Sequence, residues 1–336
     1  MDWETLKASK TGLTEDAARY DAQKARAKVL AAEKYRPDRM LRYALRPFDA
    51  RWCYFSAVRP LWNEPRPTLW VQYWDGNTFL MSRPAGVASP EGVPLLFTRL
   101  LGDNDYLRGH AYYFPLRLRS VQADEPAQIG FFAAEPTTTA NLSPTARAYL
   151  ASLGIADPDG DAEIAPGLHA YELIWLHALA IGYAPAYLRE NADGIRDDWP
   201  RIPLPASRDA LLASTALGQQ LAALLDTEHP VPGITQNPVH AEIKPIAVLA
   251  RAGGGSLNPD AGDLDITAGW GHAGKEGVTM PGRGRVVEHV PTHVPGTSEA
   301  PGTSYDIYLN DVAYWRNVPA RVWDYTIGGY QVIKSG

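Results

Sequence analysis

The rhythm of apolar positions changes three times along the chain. Over 14–35, TEDAARYDAQKARAKVLAAEKY, good helix formers dominate, Thr14 is placed to cap, and Glu15 and Asp16 suit the positive end of a helix. The apolar face is thin and mostly alanine, so the pattern predicts a connecting helix rather than part of a core. From 45 to 133 short apolar and aromatic runs alternate with turn signals: WCYFSAV, TLWVQYW, then DGN, then TFLMS. Asp75-Gly76-Asn77 between two such runs predicts a hairpin. In AYYFPLRLR (111–119) Leu116 and Leu118 alternate with Arg117 and Arg119, so a strand there would turn both guanidinium groups to one face.

Helical spacing takes over from 143 to 226. SPTARAYLASLG carries Ser143 as cap, Pro144 in the first turn and Gly154 as the stop. YELIWLHALAIGY (171–183) is apolar nearly all round, which predicts a buried helix. SRDALLASTALGQQLAALLD (207–226) is capped by Ser207 and has leucines at helical spacing. DDWPRIPLP (197–205) lies between these last two, and its prolines predict an extended connector. Residues 230–304 are rich in Gly, Pro, Ser and Thr and predict a loop-rich insert, after which the aromatic runs of 304–334 are β-prone again. The fold class expected is α+β, with a β-rich N-terminal half, a helical middle and a β-prone C-terminal segment.

Composition narrows the class. With 336 residues and 45% hydrophobic content the chain suffices for about two domains or one large one. No apolar run approaches the roughly 18 residues of a membrane helix, and MDWETLKASK has no apolar stretch behind its charges, so neither a membrane partner nor a signal peptide is expected. Cys53 is the single cysteine, which excludes an internal disulfide and a cysteine-rich zinc site and fits a reduced, cytoplasmic protein. The net charge of −6 argues against a nucleic-acid partner until its distribution is considered. Residues 36–119 hold twelve arginines, no lysine and seven acids, net +5, whereas 120–336 carry net −12. Arginine's planar fork suits phosphates and guanine edges and stacks on rings. An arginine-rich surface paired with the acidic remainder is the plainer alternative.

Catalytic signatures are sparse. There is no glycine-rich cofactor loop, no Asn/Asp-Pro-Pro-aromatic tetrapeptide, no phosphate loop and no serine elbow. Glu242-Ile243-Lys244 is the Glu-x-Lys half of a metal-dependent nuclease motif, but its acidic partner would have to be Asp159, across a helical region. His169 and His177 stand eight apart on a predicted helix, and His289 and His293 lie at i, i+4 without an accompanying carboxylate motif; ordinary polar or core histidines are the better reading.

Four stretches carry a family resemblance. LRPFDARWCYF (45–55) resembles the signature that follows the methyltransferase core in type ISP restriction–modification enzymes. WLHALAIGYAPAYLRENADGIRDDWPRIPLP is similar to a segment those enzymes share with single-chain adenine-N6 methyltransferases. LASTALGQQLAALLD and VWDYTIGGYQVIK resemble that family's next helix and its C-terminal run, in the same order. The resemblance covers nearly all of 35–334, with 230–304 matching least. It implies a target-recognition, or specificity, domain that reads double-stranded DNA for catalytic domains outside this chain. Residues 1–40 would then be a helical connector from an upstream methyltransferase domain of the same polypeptide, and 41–336 the recognition domain. No cofactor is expected in this chain; S-adenosylmethionine, ATP and magnesium would belong to the absent domains. The family usually continues beyond Gln-Val-Ile-Lys, so the end at Ser335-Gly336 suggests a truncated or domain-only product.

The candidate DNA contacts divide in two. Arg46 and Arg51 lie in the first signature, where the alternative is scaffold: Phe48, Trp52 and Tyr54 as core and Asp49 fixed to Arg46 or Arg51. Arg83, Arg117, Arg119, Lys275, Arg283 and Arg285 lie outside the signatures, beside turns or on the alternating strand, where a family that changes its target must place its readers. Two other readings stay open: a catalytic fragment, nuclease or methyltransferase, or a scaffold domain that packs on the methyltransferase and touches DNA little.

Overall fold

Four consecutive buried residues, Phe79–Ser82, mark the centre of the molecule. The computed structural model describes residues 21–62, 65–87, 91–120, 137–266, 273–274, 277–278, 285–289 and 302–335. Helix α1 spans Ala22–Glu33 and is capped by Asp21, whose carboxylate accepts from Lys24 N at 2.7 Å; Thr14, the cap expected from sequence, lies outside the described residues. Strands β1 (Met40–Arg46) and β2 (Asp49–Tyr54) form an antiparallel hairpin running from Met40↔Tyr54 to Arg46↔Asp49, with a shift of register between Ala44 and Arg46.

The hairpin expected around Asp75-Gly76-Asn77 is absent because TLWVQYW is not a strand. Pro67 opens a helical turn, α2 (Pro67–Trp70), in which Leu69 N and Trp70 N both bond to Arg66 O at 3.1 Å. Trp70 then meets Phe55 edge to face at 5.0 Å, so tertiary packing takes the aromatic residues a sheet would have used. Strands β3 (Phe79–Ser82), β4 (Leu96–Thr98) and β5 (Tyr112–Pro115) make a sheet with β3 central. Alternation explains the uninterrupted burial of β3. Phe79 and Met81 join one apolar cluster with Tyr43, Leu101, Leu107 and Ile327, while Leu80 joins a second with Phe97, Leu116, Leu176 and Leu179. AYYFPLRLR is broken at the fully buried Leu116, and its second half is β6 (Arg117–Arg119), paired with β7 (Thr138–Ala140).

The helical middle keeps its predicted caps. Helix α3 (Pro144–Ser152) starts at Ser143, whose hydroxyl accepts from Ala146 N, and stops before Gly154 at φ +72°. A small hairpin, β8 (Glu163–Ala165) and β9 (Leu168–His169), leads into α4 (Leu173–Gly182), α5 (Pro185–Glu190) and α6 (Ala192–Asp197). Helix α7 (Arg208–Leu225) is capped by Ser207. It lies so close to α4 that a Cβ on Gly218 would run into the Leu176 carbonyl, and the buried Thr215 hydroxyl bonds to Leu173 O at 3.1 Å.

The stretch expected to be a loop-rich insert supplies two strands of a real sheet. Strand β10 (Val248–Arg251) and, beyond the short β11 (Ala273–Gly274) and β12 (Gly277–Val278), β13 (Arg285–His289) flank β14 (Ser304–Tyr308) and β15 (Ala313–Pro319) in the order β10-β15-β14-β13. The chain closes with α8 (Ala320–Trp323), β16 (Thr326–Ile327), β17 (Tyr330–Gln331) and α9 (Val332–Ser335). Ile327 is buried in the first cluster and bridges Val93, which ties the last signature to the central sheet. Helices and antiparallel sheets together make the fold α+β, as the sequence pattern implies.

Candidate nucleic-acid interface

The first signature is locked at its root and open at its tip. Tyr43, Phe55, Trp62 and Trp70 form an aromatic knot beneath the hairpin, and Trp62 Nε1 donates to Tyr54 O at 3.0 Å. On β1, Ala44 N donates to Leu101 O and Ala44 O accepts from Asp103 N, both at 2.9 Å. At the tip Phe48 is 43% exposed, and Trp52, opposite Arg42 nearer the root, is 59% exposed. Neither is core, against the scaffold alternative for this motif; Tyr54 is half-buried and stacks on Tyr35.

The arginines of 36–119 are mostly held by acids. Among the described residues eight pair with carboxylates: Arg36, Arg39, Arg42, Arg46, Arg51, Arg83, Arg99 and Arg117. Their partners Glu33, Asp161, Asp226 and Glu228 lie outside the segment, so much of its positive excess is balanced in place. The pairs differ in which charge faces water. Arg51 is 65% exposed over an Asp49 that is only 19% exposed, at 2.7 Å. Arg99 is likewise half exposed over a buried Asp226, which also accepts from Glu228 N and lies 2.8 Å from His229 Nδ1. In both, the acid sits beneath and the guanidinium outside.

The other expected contacts separate. Arg46 is partly sheltered, 3.4 Å from Asp103 and over the Tyr330 ring; Asp49 therefore fixes Arg51, not Arg46. Arg83, expected on the surface beside a turn, is buried against Glu91, and desolvation lowers its pKa to about 10. It presents no guanidinium to a partner. Arg117 and Arg119 do share a face of β6, but the sheltered one. Arg117 bonds to Thr138 Oγ1 at 2.6 Å and Asp161 at 3.0 Å and lies over Tyr171; Arg119 lies over Trp74 at 4.3 Å. Leu118 faces water instead, because the rings on the inner side attract the cations. Arg285 is exposed on β13 and stacks on Tyr308 at 3.4 Å, whereas Lys275 and Arg283 lie outside the described residues. Arg59 and Arg108, which the sequence reading passed over, are exposed, and their side chains make no hydrogen bond or ion pair with described residues. Their only signal was membership of the arginine-rich segment.

RIPLP, residues 201–205, is held from three sides: Tyr187 Oη donates to Arg201 O at 3.2 Å, His177 Nε2 lies 2.9 Å from Pro203 O, and Tyr149 Oη donates to Pro205 O at 2.8 Å. His177 also reaches Ser214 Oγ on α7 at 2.7 Å, so one buried imidazole joins two helices and the extended segment. The nuclease-like fragment has no comparable assembly. Glu242 and Lys244 lie in a turn rather than on a strand, and Asp159 is occupied by a fork from Arg147 at 2.8 and 2.9 Å and by Ala140 N. Those hydrogen bonds hold the Asp159 carboxyl below its ordinary value. Among the described residues no group of three or more His, Cys, Asp or Glu could hold a metal ion. No described helix is long and apolar enough to cross a membrane.

The chain matches the fold of a DrdV–DNA complex determined by electron cryomicroscopy, with a TM-score of 0.53 and 17% identity over 92% of this chain and 24% of that one. It also matches the ATP-dependent Type ISP restriction-modification enzyme LlaBIII bound to DNA, with a TM-score of 0.52 and 13% identity over 90% of this chain and 15% of that one. The chain thus spans a quarter or less of the length of these relatives. No curated protein matches it. The model of one family, the Type ISP C-terminal specificity domain, covers residues 4–334, nearly the whole sequence. The chain belongs to the Type ISP C-terminal specificity domain family.

Proposed function

We propose that the chain is the DNA-reading part of a restriction–modification enzyme and has no catalytic step of its own. The observation that carries this reading is the specificity-domain match over 4–334, joined to a hairpin that presents arginine and aromatic side chains to solvent. The partner is double-stranded DNA. Arg51 and Arg99 meet phosphates, with Arg59, Arg108 and Arg285 as further exposed cations. Arg83 has no place in this set, and Arg46, Arg117 and Arg119 fix the scaffold around it. A methyltransferase domain of the same polypeptide would supply the chemistry, with S-adenosylmethionine, ATP and magnesium bound there, in the cytoplasm. Residues 1–40 would be the connector to it.

The test is duplex binding by fluorescence anisotropy across a salt series. Each neutralised phosphate contributes about −0.9 to the slope of log affinity against log salt, so a steep negative slope is expected. A flat slope, or no binding at low salt, removes the DNA-reading proposal and leaves the scaffold reading. Added S-adenosylmethionine, ATP or magnesium should yield neither methylation nor cleavage, and stoichiometric S-adenosylmethionine binding by calorimetry would overturn the assignment of the cofactor elsewhere.

A further inference from the structure

The turn of the β1–β2 hairpin contains a conformational anomaly. Pro47 and Phe48 connect Arg46 to Asp49, and Phe48 holds φ +65°. A positive φ at the residue after a turn proline is the ordinary place of glycine or asparagine, and a bulky side chain there is an outlier. Burial does not explain the choice, since much of the ring faces water. The conformation is instead supported from below. Burial pushes the Tyr106 phenol well up, and the Phe48 backbone amide beside its oxygen works against that shift. Backbone strain that the surroundings hold in place at an exposed position is a pointer to function.

The surroundings indicate the partner. A shallow hollow beside Phe48 is bordered by Arg46, Asp49, Arg99, Tyr106 and Asp226. Arg99 borders this hollow and Arg51 lies on the Asp49 carboxylate that borders it, each turned to water above a carboxylate that is more buried. Trp52, farther along the strand leaving the turn, is also exposed, with the Arg42 guanidinium over its ring. A ring between exposed cations complements a stacked base step between two phosphate backbones.

We propose that Phe48 is an apolar wedge that enters a groove of the duplex and presses into a base step, while Arg51 and Arg99 exchange their carboxylates for the adjoining phosphates. This rests on the DNA-reading function above and adds a mode to it: the domain senses how readily a step unstacks at a position where it forms no base-edge hydrogen bond.

The experiment uses the full chain and a duplex that the wild-type chain selects from a randomised pool, with 2-aminopurine placed at successive steps. Wild-type protein should raise the fluorescence at one step. Phe48→Gly suits the left-handed backbone, so it should melt no lower than wild type, yet lose the fluorescence rise and about tenfold or more in affinity. Phe48→Asn, the other residue at home at this φ, should behave alike. Retention of both signal and affinity by the glycine variant overturns the wedge and leaves DNA reading intact. Unfolding of both variants assigns Phe48 to the scaffold and also overturns it. A wild-type chain that selects and binds no duplex removes both proposals.

Discussion

The hairpin signature and the RIPLP signature are both strongly patterned stretches, and they are used in opposite ways. RIPLP spends its backbone carbonyls on side chains from α3, α4 and α5, so that Tyr149, His177 and Tyr187 fix it along its length. The β1–β2 hairpin is fixed at its root, along β1 and beneath its turn by Tyr106, yet it sends Phe48, Arg51 and Trp52 outward. A distinctive motif therefore has no single meaning within one domain. What separates the two is the destination of the side chains, inward onto neighbouring elements or outward to solvent.

That contrast breaks most easily at His177. Its replacement by Ala leaves Pro203 O and Ser214 without the imidazole and opens space between two helices, so about 2–4 kcal/mol of stability should be lost in urea unfolding, with the cognate-to-random DNA ratio unchanged. A changed ratio at unchanged stability would give RIPLP a reading role. Ile202→Ala, from the half-buried side chain packed on the second cluster, should cost about 2 kcal/mol by the same measurement. Trp199→Ala sharpens the comparison. Trp199 touches Tyr112 and Phe114 edge to face, but it is 37% exposed and not fully packed between helices, so about 1–2 kcal/mol is expected rather than the loss of a fully buried ring. On the hairpin side, Arg51→Ala should change stability by no more than about 0.5 kcal/mol, because its ion pair is exposed. It should weaken cognate and random DNA alike and only slightly, and reduce the salt slope by well under the roughly 1 unit of an unpaired arginine, measured by anisotropy, because its seat on Asp49 leaves only an exchange to lose. A specific loss at the cognate site would make Arg51 a base reader.

The helical middle was legible because its signals are local. Ser143, Ser207 and Gly154 act within one turn of their own position, and the structure uses each as the sequence implies. The sheet of the C-terminal half was half legible: β14 and β15 lie in aromatic runs, whereas β10 and β13 lie in Gly/Pro-rich surroundings and are strands because of their neighbours. The site was harder to read for the same reason. Arg83 is buried through Glu91, eight residues on, and Arg117 and Arg119 turn inward toward Tyr171 and Trp74, rings that no period-two pattern reveals. Alternation gave the shared face of those two arginines correctly but not which face was inside. The exposed Phe48 was hidden by its own character, since an aromatic residue in an apolar run reads as core.

The carboxylates beneath Arg51 and Arg99 have a consequence for how such a domain searches. A free surface arginine gains a counter-charge when it meets any phosphate, and so it lingers on any sequence. An arginine already seated on an acid makes only an exchange, releasing little bound salt and gaining little by it. Grip on arbitrary DNA is thereby kept shallow without removing the cations, and dwell time is reserved for places where shape and sequence add their own contribution.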